Sequence, residues 1–389
     1  MDCRKFGLTL FCCFAFVTLK AQQPDYQTTD STAERLYNAG NWKQLIQAEN
    51  ESLKNGIDFP ALRLRLGYAQ FVLENYGAAL YQYDQVLKND AFNQTARFYK
   101  SLCYKYLNHD LLAAGEAAYL DTSSTKLFTL KPFGIIDASL ESSYKIADDN
   151  YRGNASYTRF GLNSILFKKL QLEQSVAYFG QYIYIIDDKN WAQNNDQQTE
   201  YFAKLSYALA NRLVLFGGWH YMYTAFQSNT YNSNVLLAGL NYTGNYIDLQ
   251  GDVDIGNVVG DHINQYNAKI TVRPLGNLNL YFISQETYLL ENNNGAEIFN
   301  QTIGFKALKN LWLESSATFG KLDDYIEGDG LYIYNAVDDT KLKLGQTIYY
   351  QLNAHAMLQL NYIFEKKQDI GQSINYNQYS ITAGLLWRF

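Results

Sequence analysis

Residues 380–389, SITAGLLWRF, end the chain and alternate between apolar and polar side chains. One parity carries Ile381, Ala383, Leu385, Trp387 and Phe389, and the other carries Ser380, Thr382, Gly384 and Arg388, with Leu386 as the apolar exception. A period of two is the pattern of a β-strand with one apolar face. The last residue of the chain is therefore also the last residue of that apolar face.

The same period of two extends back to about residue 133. It predicts strands over 133–147, 154–167, 170–185, 198–210, 212–226, 234–243, 246–256, 265–273, 277–290, 297–307, 310–322, 340–351, 356–366 and 377–389. A strand needs about 9–11 residues to cross the hydrocarbon layer of a membrane, and these are long enough. The pattern therefore predicts an antiparallel transmembrane β-barrel of about 14 strands over residues 132–389.

The composition agrees with such a barrel. The chain has 389 residues, a net charge of −6, 34 Tyr and only 4 Pro. The negative charge argues against a nucleic-acid partner. A chain rich in Tyr, Asn and Gly suits a transmembrane barrel, in which only alternate residues need to be apolar.

The connections between predicted strands alternate in length. KK, AN, TGN, PLGN, KN and NAHA are short, and IDDKNWAQNNDQ, QSNTYNS, NVVGDH, ENNNGA, DDYIEGDGLYIYNAVDD and KKQDIGQSIN are longer and polar. Outer-membrane barrels have short periplasmic turns and longer external loops. With an even number of strands, both ends of the barrel segment are expected in the periplasm.

The first residues predict a signal peptide over 1–21. Arg4 and Lys5 precede an apolar run from residue 6 to residue 19, and the small Ala21 follows. A membrane anchor and lipoprotein processing at Cys12 or Cys13 are the alternatives. Cys103 would then be the one cysteine left, which predicts no disulfide and a small buried side chain.

A helical domain is predicted over 22–121, followed by a linker over 122–131. From residue 31 to about 121 apolar residues recur at intervals of three and four. Leu66, Gly67, Ala79, Tyr83 and Val86 resemble the packing positions of the tetratricopeptide repeat, in which small residues let two helices approach closely. A shift of 34 residues fits Ser101, Ala113, Ala117 and Leu120, whereas the opposite shift places Glu49 at a position that should be apolar or small. A plain helical bundle is the alternative.

The polar parity of the strands predicts the barrel lumen. Asp248, Asp252 and Asp254 precede Lys269 and Arg273, and one register would pair Asp252 with Lys269 and Asp248 with Arg273. Further lumen charges of both signs are expected, at positions 137, 141, 145, 159, 173, 200, 204, 306, 314, 341, 343, 365 and 388. They indicate either an ion-pair network that holds a narrow barrel rigid or a polar conduit without strong charge selectivity.

The residues do not predict an enzyme. Of the four histidines, only His220 points into the lumen by parity, and His109, His262 and His355 fall in a helix, a loop and a turn. No Ser or acid partner can be assigned to His220, and no cluster has metal-ligand spacing. We therefore expect no cofactor and no metal, and we expect the acidic segments DVDIGN and GDGLYIYNAVDD to be solvated loops.

Thr382, Gly384, Trp387 and Phe389 resemble the terminal signal of bacterial outer-membrane proteins. That resemblance implies recognition of the last strand by the barrel assembly machinery and a location in outer-membrane lipid of a Gram-negative bacterium. The end of the first segment, KAQQ, and the Tyr- and Asn-rich barrel look like a protein of the Bacteroidota by composition.

The two-domain arrangement, a short tetratricopeptide-like α-solenoid before a barrel, resembles exopolysaccharide export porins and surface lipoprotein assembly modifiers. The resemblance implies export, translocation or assembly of surface material, with the periplasmic module recruiting cargo or a protein partner. A passive diffusion channel and a structural or receptor barrel that docks a periplasmic complex are the alternatives. A wide lumen lined by one sign of charge would favour the channel, and a plugged lumen would favour the receptor. A continuous groove from the helical module into an open lumen would favour export or translocation.

Overall fold

A computed structural model describes residues 25–121, 133–187, 190–335, 337–369 and 373–389 of the chain. A helical domain is followed by a closed antiparallel β-barrel, which confirms the predicted two-domain α+β fold. The predicted signal peptide, 1–21, and the predicted linker, 122–131, lie outside the described residues.

The helical domain contains six helices in the residues that the structure describes. They are α1 (Tyr26–Asn38), α2 (Trp42–Lys54), α3 (Pro60–Val72), α4 (Tyr76–Asn89), α5 (Gln94–Tyr106) and α6 (Asp110–Ala117). The starts of α1, α3 and α5 are 34 residues apart, and so are those of α2, α4 and α6. Consecutive helices pack against each other, so the domain is three helix pairs with a 34-residue period.

The sequence-predicted packing positions lie between α3 and α4. Ala79, Tyr83 and Val86 are buried, and Gly67 faces the ring of Tyr83. A Cβ atom on Gly67 would lie 2.7 Å from Cε1 of that ring, so the glycine lets the two helices approach closely.

We expect Gly67→Ala to destabilise the helical domain by about 1–3 kcal/mol, because the added methyl group forces the Tyr83 ring out of its place. Thermal unfolding of the full chain, followed by the helical circular dichroism signal, measures the loss. The matched control is Gly115→Ala in α6, where nothing lies within 4 Å of the new Cβ atom. Equal midpoints for the two variants would contradict the packing assignment.

Glu49 in α2 occupies the place that Tyr83 holds one repeat later. Its side chain is 1% exposed, and neither carboxylate oxygen has a hydrogen-bond partner among the described residues. Burial raises the pKa of Glu49 to about 8, although Arg65 acts in the opposite direction. The sequence mismatch at this position is therefore a buried acid in the core.

This acid makes the stability of the helical domain pH-dependent. Because the pKa is raised in the folded state, the contribution is fully present below the ordinary value of 4.5 and is lost as pH rises to about 8. We expect Glu49→Gln to remove most of the fall in the helical melting midpoint between pH about 5 and pH about 8. Glu51→Gln, at an exposed position of the same helix, should leave it unchanged. A wild-type midpoint that does not fall over this range would contradict the assignment.

The barrel is closed by fourteen strands within the described residues. They are β1 (Gly134–Ala147), β2 (Arg152–Leu166), β3 (Leu170–Asp187), β4 (Asn190–Ala210), β5 (Leu213–Phe226), β6 (Asn229–Thr243), β7 (Ile247–Val258), β8 (Asp261–Val272), β9 (Leu280–Glu291), β10 (Asn294–Leu308), β11 (Leu311–Gly320), β14 (Asp339–Gln351), β15 (Ala356–Asp369) and β16 (Ile374–Arg388). Each strand pairs with its neighbour, and β1 pairs with β16 to close the sheet. Two short strands, β12 (Tyr325–Glu327) and β13 (Tyr332–Tyr334), form a separate hairpin.

Alternate residues of the barrel strands face outward and are apolar. In β7, for example, Ile247, Leu249 and Ile255 are exposed on the outside, while Asp248 and Asp252 are buried inside. An apolar exterior around a polar interior is the arrangement of a transmembrane barrel, since lipid contacts one face and the lumen the other. The alternation that the sequence predicts is therefore present with the apolar face outward.

The predicted alternation of short and long connections is wrong. At the end far from the helical domain, three connections are two-residue turns, 227–228, 259–260 and 292–293, because the flanking strands continue into segments expected to be loops. At the other end, 273–279 is seven residues long. Polar residues can extend a strand, since backbone pairing does not require apolar side chains. In the described part of the chain, 321–338 is the one long connection.

Candidate functional site

The long connection 321–338 folds into the barrel and is called the lumen hairpin below. Its two strands, β12 and β13, pair with each other, and Tyr325, Ile326 and Ile333 are almost completely buried. Their apolar side chains pack on inward-facing residues of β5 to β10: Met222, Val235, Val258, Ile263, Leu289 and Ile298. The prediction that this segment is a solvated external loop is therefore wrong.

The tip of the lumen hairpin is held by charges from the barrel wall. Asp329 lies 2.6 Å from Nζ of Lys269 and 3.8 Å from Nζ of Lys204, and it accepts a hydrogen bond of 2.8 Å from Gln250. Lys269 belongs to β8 and Lys204 to β4, so the tip is held from two separate strands of the wall. The tip is thus anchored as an anion between two lysines.

His220 also contacts the hairpin tip. Its Nδ1 lies 2.7 Å from the carbonyl oxygen of Gly330, and its Nε2 lies 3.4 Å from Glu200. Gly330 has a φ of +86°, and a Cβ atom there would overlap Leu237. Parity correctly placed His220 in the lumen, and its partner is backbone of the hairpin, which no spacing rule could have found.

The other face of the hairpin borders a cavity of about 560 Å³. Its wall comes from β1 to β4, β11 and β14 to β16, and five tyrosines line it: Tyr157, Tyr332, Tyr334, Tyr349 and Tyr376. Seven carboxylates and four basic side chains also line it, so the wall is acidic on balance but carries both signs. The hairpin therefore divides the lumen into a filled half and a polar, aromatic half.

Polar contacts across the cavity fix the hairpin to that second wall. The hydroxyl of Tyr332 donates to Glu141 at 2.9 Å, and Nζ of Lys343 donates to Glu327 at 2.6 Å. Arg152 forms an ion pair of 2.6 Å with Asp338 at the base of the hairpin. The hairpin is therefore bound to both sides of the barrel and spans the lumen.

The helical domain covers the barrel mouth at the opposite end. The amide of Gly77 donates to the carbonyl of Gly276 at 3.0 Å, and the hydroxyl of Tyr104 donates to the carbonyl of Asn211 at 2.9 Å. Arg212 in the same rim forms an ion pair with Asp84. Two barrel turns at this end, 211–212 and 273–279, therefore have partners in the helical domain. In the second turn, Asn277 also donates a hydrogen bond to the Glu74 carbonyl.

Apolar packing joins the two domains as well. Buried residues of α4, α5 and α6 form one cluster with Ile165 and Ala208 of the barrel, against which Ile136 and Val214 also pack. A Cβ atom on Gly77 would overlap the carbonyl oxygen of Asn245, so helix and turn are in direct contact. The helical domain is thus seated on the rim by apolar and polar contacts together.

Of the two predicted lumen ion pairs, the structure contains one contact and not the other. Arg273 donates to Asp248 at 2.6 Å, and His109 of the helical domain lies 3.3 Å from the same carboxylate. Asp252 lies opposite Asn267, and Lys269 lies opposite Gln250, so the predicted pair of Asp252 with Lys269 is wrong. The turn between β7 and β8 is centred one residue earlier than expected, which shifts the cross-strand pairing by two residues.

The residues of the predicted assembly signal all lie in or just after β16. Thr382 is opposite Ser143 and Asn361, and Gly384 is opposite Glu141 and Gln359, so both face inward. Trp387 and Phe389 are exposed on the outside, and the amide of Phe389 donates to Ile136 at 2.9 Å. Recognition of this strand by the assembly machinery stays a prediction.

Among the described residues, no helix is both long and apolar enough to cross a membrane. A scan against protein-family models finds no match, and a search of curated proteins finds none either.

Several solved outer-membrane proteins align with part of this chain. A deletion mutant of the monoaromatic hydrocarbon channel TodX aligns with a TM-score of 0.48 and 9% identity over 66% of this chain and 90% of that chain. The toluene transporter TbuX of Ralstonia pickettii aligns with a TM-score of 0.48 and 8% identity over 71% and 94%. A FadL homologue of Pseudomonas aeruginosa aligns with a TM-score of 0.46 and 8% identity over the same shares. Similarity at this level gives no information on a substrate.

Proposed function

We propose that the protein is a gated outer-membrane conduit for export or assembly of surface material, closed in the state that the structure represents. The observation that carries this is the lumen hairpin. A barrel of fourteen strands encloses more space than its own inward side chains fill, whereas eight strands are about the size that side chains can fill. Here the hairpin occupies that space, and a polar cavity remains beside it.

The helical domain is proposed to lie in the periplasm. Both ends of the barrel, at β1 and β16, are at the rim that carries this domain, as an even number of strands requires. The resemblance of residues 382–389 to the terminal signal of outer-membrane proteins supports the same orientation. The lumen hairpin would then enter the barrel from the cell exterior.

We further propose that the helical domain is a tetratricopeptide-like module that recruits a protein partner. Its 34-residue period supports this. A ladder of half-buried aromatic rings crosses the three helix pairs, with centroids 5.4 Å apart between Tyr37 and Tyr68 and 5.2 Å apart between Tyr68 and Tyr99. Phe71 continues the ladder to Tyr106, which is 48% exposed. Exposed aromatic rings of this kind are enriched where proteins bind one another.

A passive diffusion channel fits less well, because the hairpin and the helical domain lie across the path of a diffusing solute. A structural or receptor barrel is the second candidate. The observation that favours it is that the barrel is closed twice, by the lumen hairpin and by the helical domain. Both features suit a barrel that docks partners without opening as well as a barrel that opens. Conductance after removal of the lumen hairpin distinguishes the conduit from the structural or receptor barrel.

Partner recruitment is tested with a photo-crosslinking amino acid in place of Tyr106 in living cells. We expect a single discrete adduct with a periplasmic protein, because Tyr106 ends the aromatic ladder and is open to solvent. The control position is Lys54, which is exposed at the end of α2. The absence of a discrete adduct at position 106, or the same adducts at both positions, would contradict recruitment through this surface.

A further inference from the structure

Three carboxylates from three separate segments meet inside the barrel rim, at the end opposite the helical domain. Asp261 begins β8, Glu291 ends β9, and Asp324 stands in the lumen hairpin immediately before β12. One oxygen from each lies within 4.8 Å of the others. The sequence separates these residues widely, and the inward fold of 321–338 is what brings them together.

Asp324 is the most deeply buried member of this group. It is 8% exposed, and within the described ranges its carboxylate makes no hydrogen bond and no ion pair, although its amide donates to Tyr334 at 3.1 Å. A buried carboxylate normally has a partner, because its desolvation is otherwise uncompensated.

The two other carboxylates are only partly used. Nζ of Lys321 binds one oxygen of Glu291 at 2.8 Å, and the side-chain amide of Asn292 donates to one oxygen of Asp261 at 2.6 Å. Each therefore keeps an oxygen that can face Asp324. Lys321 is shared with Asp323, whose carboxylate lies 3.8 Å from the same Nζ, so the three carboxylates keep an excess of negative charge that a divalent cation can offset.

The geometry and the ligand type select among cations. Two oxygens bound to one Ca²⁺ at about 2.4 Å can be at most about 4.8 Å apart, and oxygens of the three carboxylates lie within that distance of one another, so they can share one ion. The group offers only hard oxygen ligands, and they come from two strand ends and a hairpin. Ca²⁺ accepts such irregular arrangements, whereas Mg²⁺ demands a near-ideal octahedron.

We propose that Asp261, Glu291 and Asp324 form a Ca²⁺ site that ties the lumen hairpin to the barrel wall. Cation binding itself does not depend on the proposed function. Its consequence, that Ca²⁺ holds the conduit closed, rests on the hairpin being the gate. The two parts are therefore tested separately.

Binding is measured with Tb³⁺ on the full chain purified in detergent. Tyr325 follows Asp324 directly and is buried, so its ring can sensitise Tb³⁺ luminescence at this site. We expect a saturable signal that Ca²⁺ displaces and Mg²⁺ displaces poorly. Asp324→Asn should weaken binding by at least about tenfold, since one of three carboxylate ligands is lost.

The matched control is Glu297→Gln on β10, an exposed carboxylate near the same end, which should leave the signal unchanged. Heat-modifiable gel migration shows that each variant still forms a barrel, and Glu291→Gln replaces Asp324→Asn if the latter does not assemble. A signal that Ca²⁺ does not displace, or that survives both substitutions, overturns the site. A displaceable signal with the same conductance in Ca²⁺ and in chelator keeps the site and overturns its role in closure.

Discussion

Replacing residues 325–334 by a short Gly-Ser linker should raise the conductance of the protein in a planar bilayer on the order of tenfold. The reason is that the hairpin then no longer occupies the lumen of the fourteen-stranded barrel. The hairpin contacts both walls, through Ile326 and Ile333 on one side and through Tyr332 and Glu327 on the other. Its removal joins the cavity of about 560 Å³ to the space that the hairpin filled. The wild-type protein should conduct little under the same conditions.

The helical domain across the other mouth makes a second variant necessary. Gly77→Val places a side chain where the carbonyl of Asn245 lies and should loosen the seat of this domain. We expect this change alone to alter conductance little and the combination with the hairpin replacement to give the largest conductance. A combined variant that assembles normally but conducts no better than wild type would contradict the gated conduit and leave the structural or receptor barrel.

Asp329→Asn should unseat the hairpin without removing it. The substitution leaves Lys269 without its carboxylate partner in the lumen. The two side chains are 21% and 28% exposed, so the expected cost is about 1.4 kcal/mol, between that of a surface ion pair and that of a buried one. A loss of about 1.4 kcal/mol corresponds to about a tenfold larger population of unseated hairpin. The probability of open events in single-channel recordings measures this population.

The control for this change is Glu173→Gln. Glu173 lies 3.0 Å from Lys204, the second lysine beside Asp329, but belongs to the barrel wall in β3. This substitution also removes one negative charge from the network, but the hairpin keeps its contact between Asp329 and Lys269. Equal open probability in the two variants would show that the anchor at Asp329 does not hold the hairpin.

The strands could be predicted from sequence because their signal is local. Outward residues such as Leu249 and Leu385 meet lipid, so every second position is apolar whatever the neighbouring strand contains. The 34-residue period of the helices is local in the same sense, since Gly67 and Tyr83 belong to one helix pair. The predicted strand and repeat positions therefore agree with the structure to within a few residues for most elements.

The lumen hairpin could not be predicted in this way. Its polar residues, such as Asp329, are typical of an external loop. Only their contacts with Lys204 and Lys269 on distant strands show that they lie in the lumen. The predicted register between β7 and β8 was wrong for a related reason, because moving a turn by one residue changes every cross-strand partner. The position of the hairpin and the register of the strands both depend on contacts between segments far apart in sequence. The period and parity of apolar residues contain no information on such contacts.

The most direct measurement is labelling by a membrane-impermeant maleimide on intact cells. Cys103, the one cysteine in the described residues, is buried and is replaced by serine. A single cysteine is then placed at Asn293 in an exposed turn, at Leu331 in the lumen hairpin, or at Lys309 in a turn of the other rim. Leu331 packs against Phe202, Phe216 and Leu237 inside the barrel.

We expect rapid labelling at position 293 and protection at positions 331 and 309, with all three labelled after unfolding in detergent. Protection at 331 beside labelling at 293 is the signature of a hairpin that lies inside the lumen on the external side. Labelling at 309 instead of 293 would reverse the orientation. Labelling at 331 as fast as at 293 would contradict the central claim that this hairpin closes the barrel.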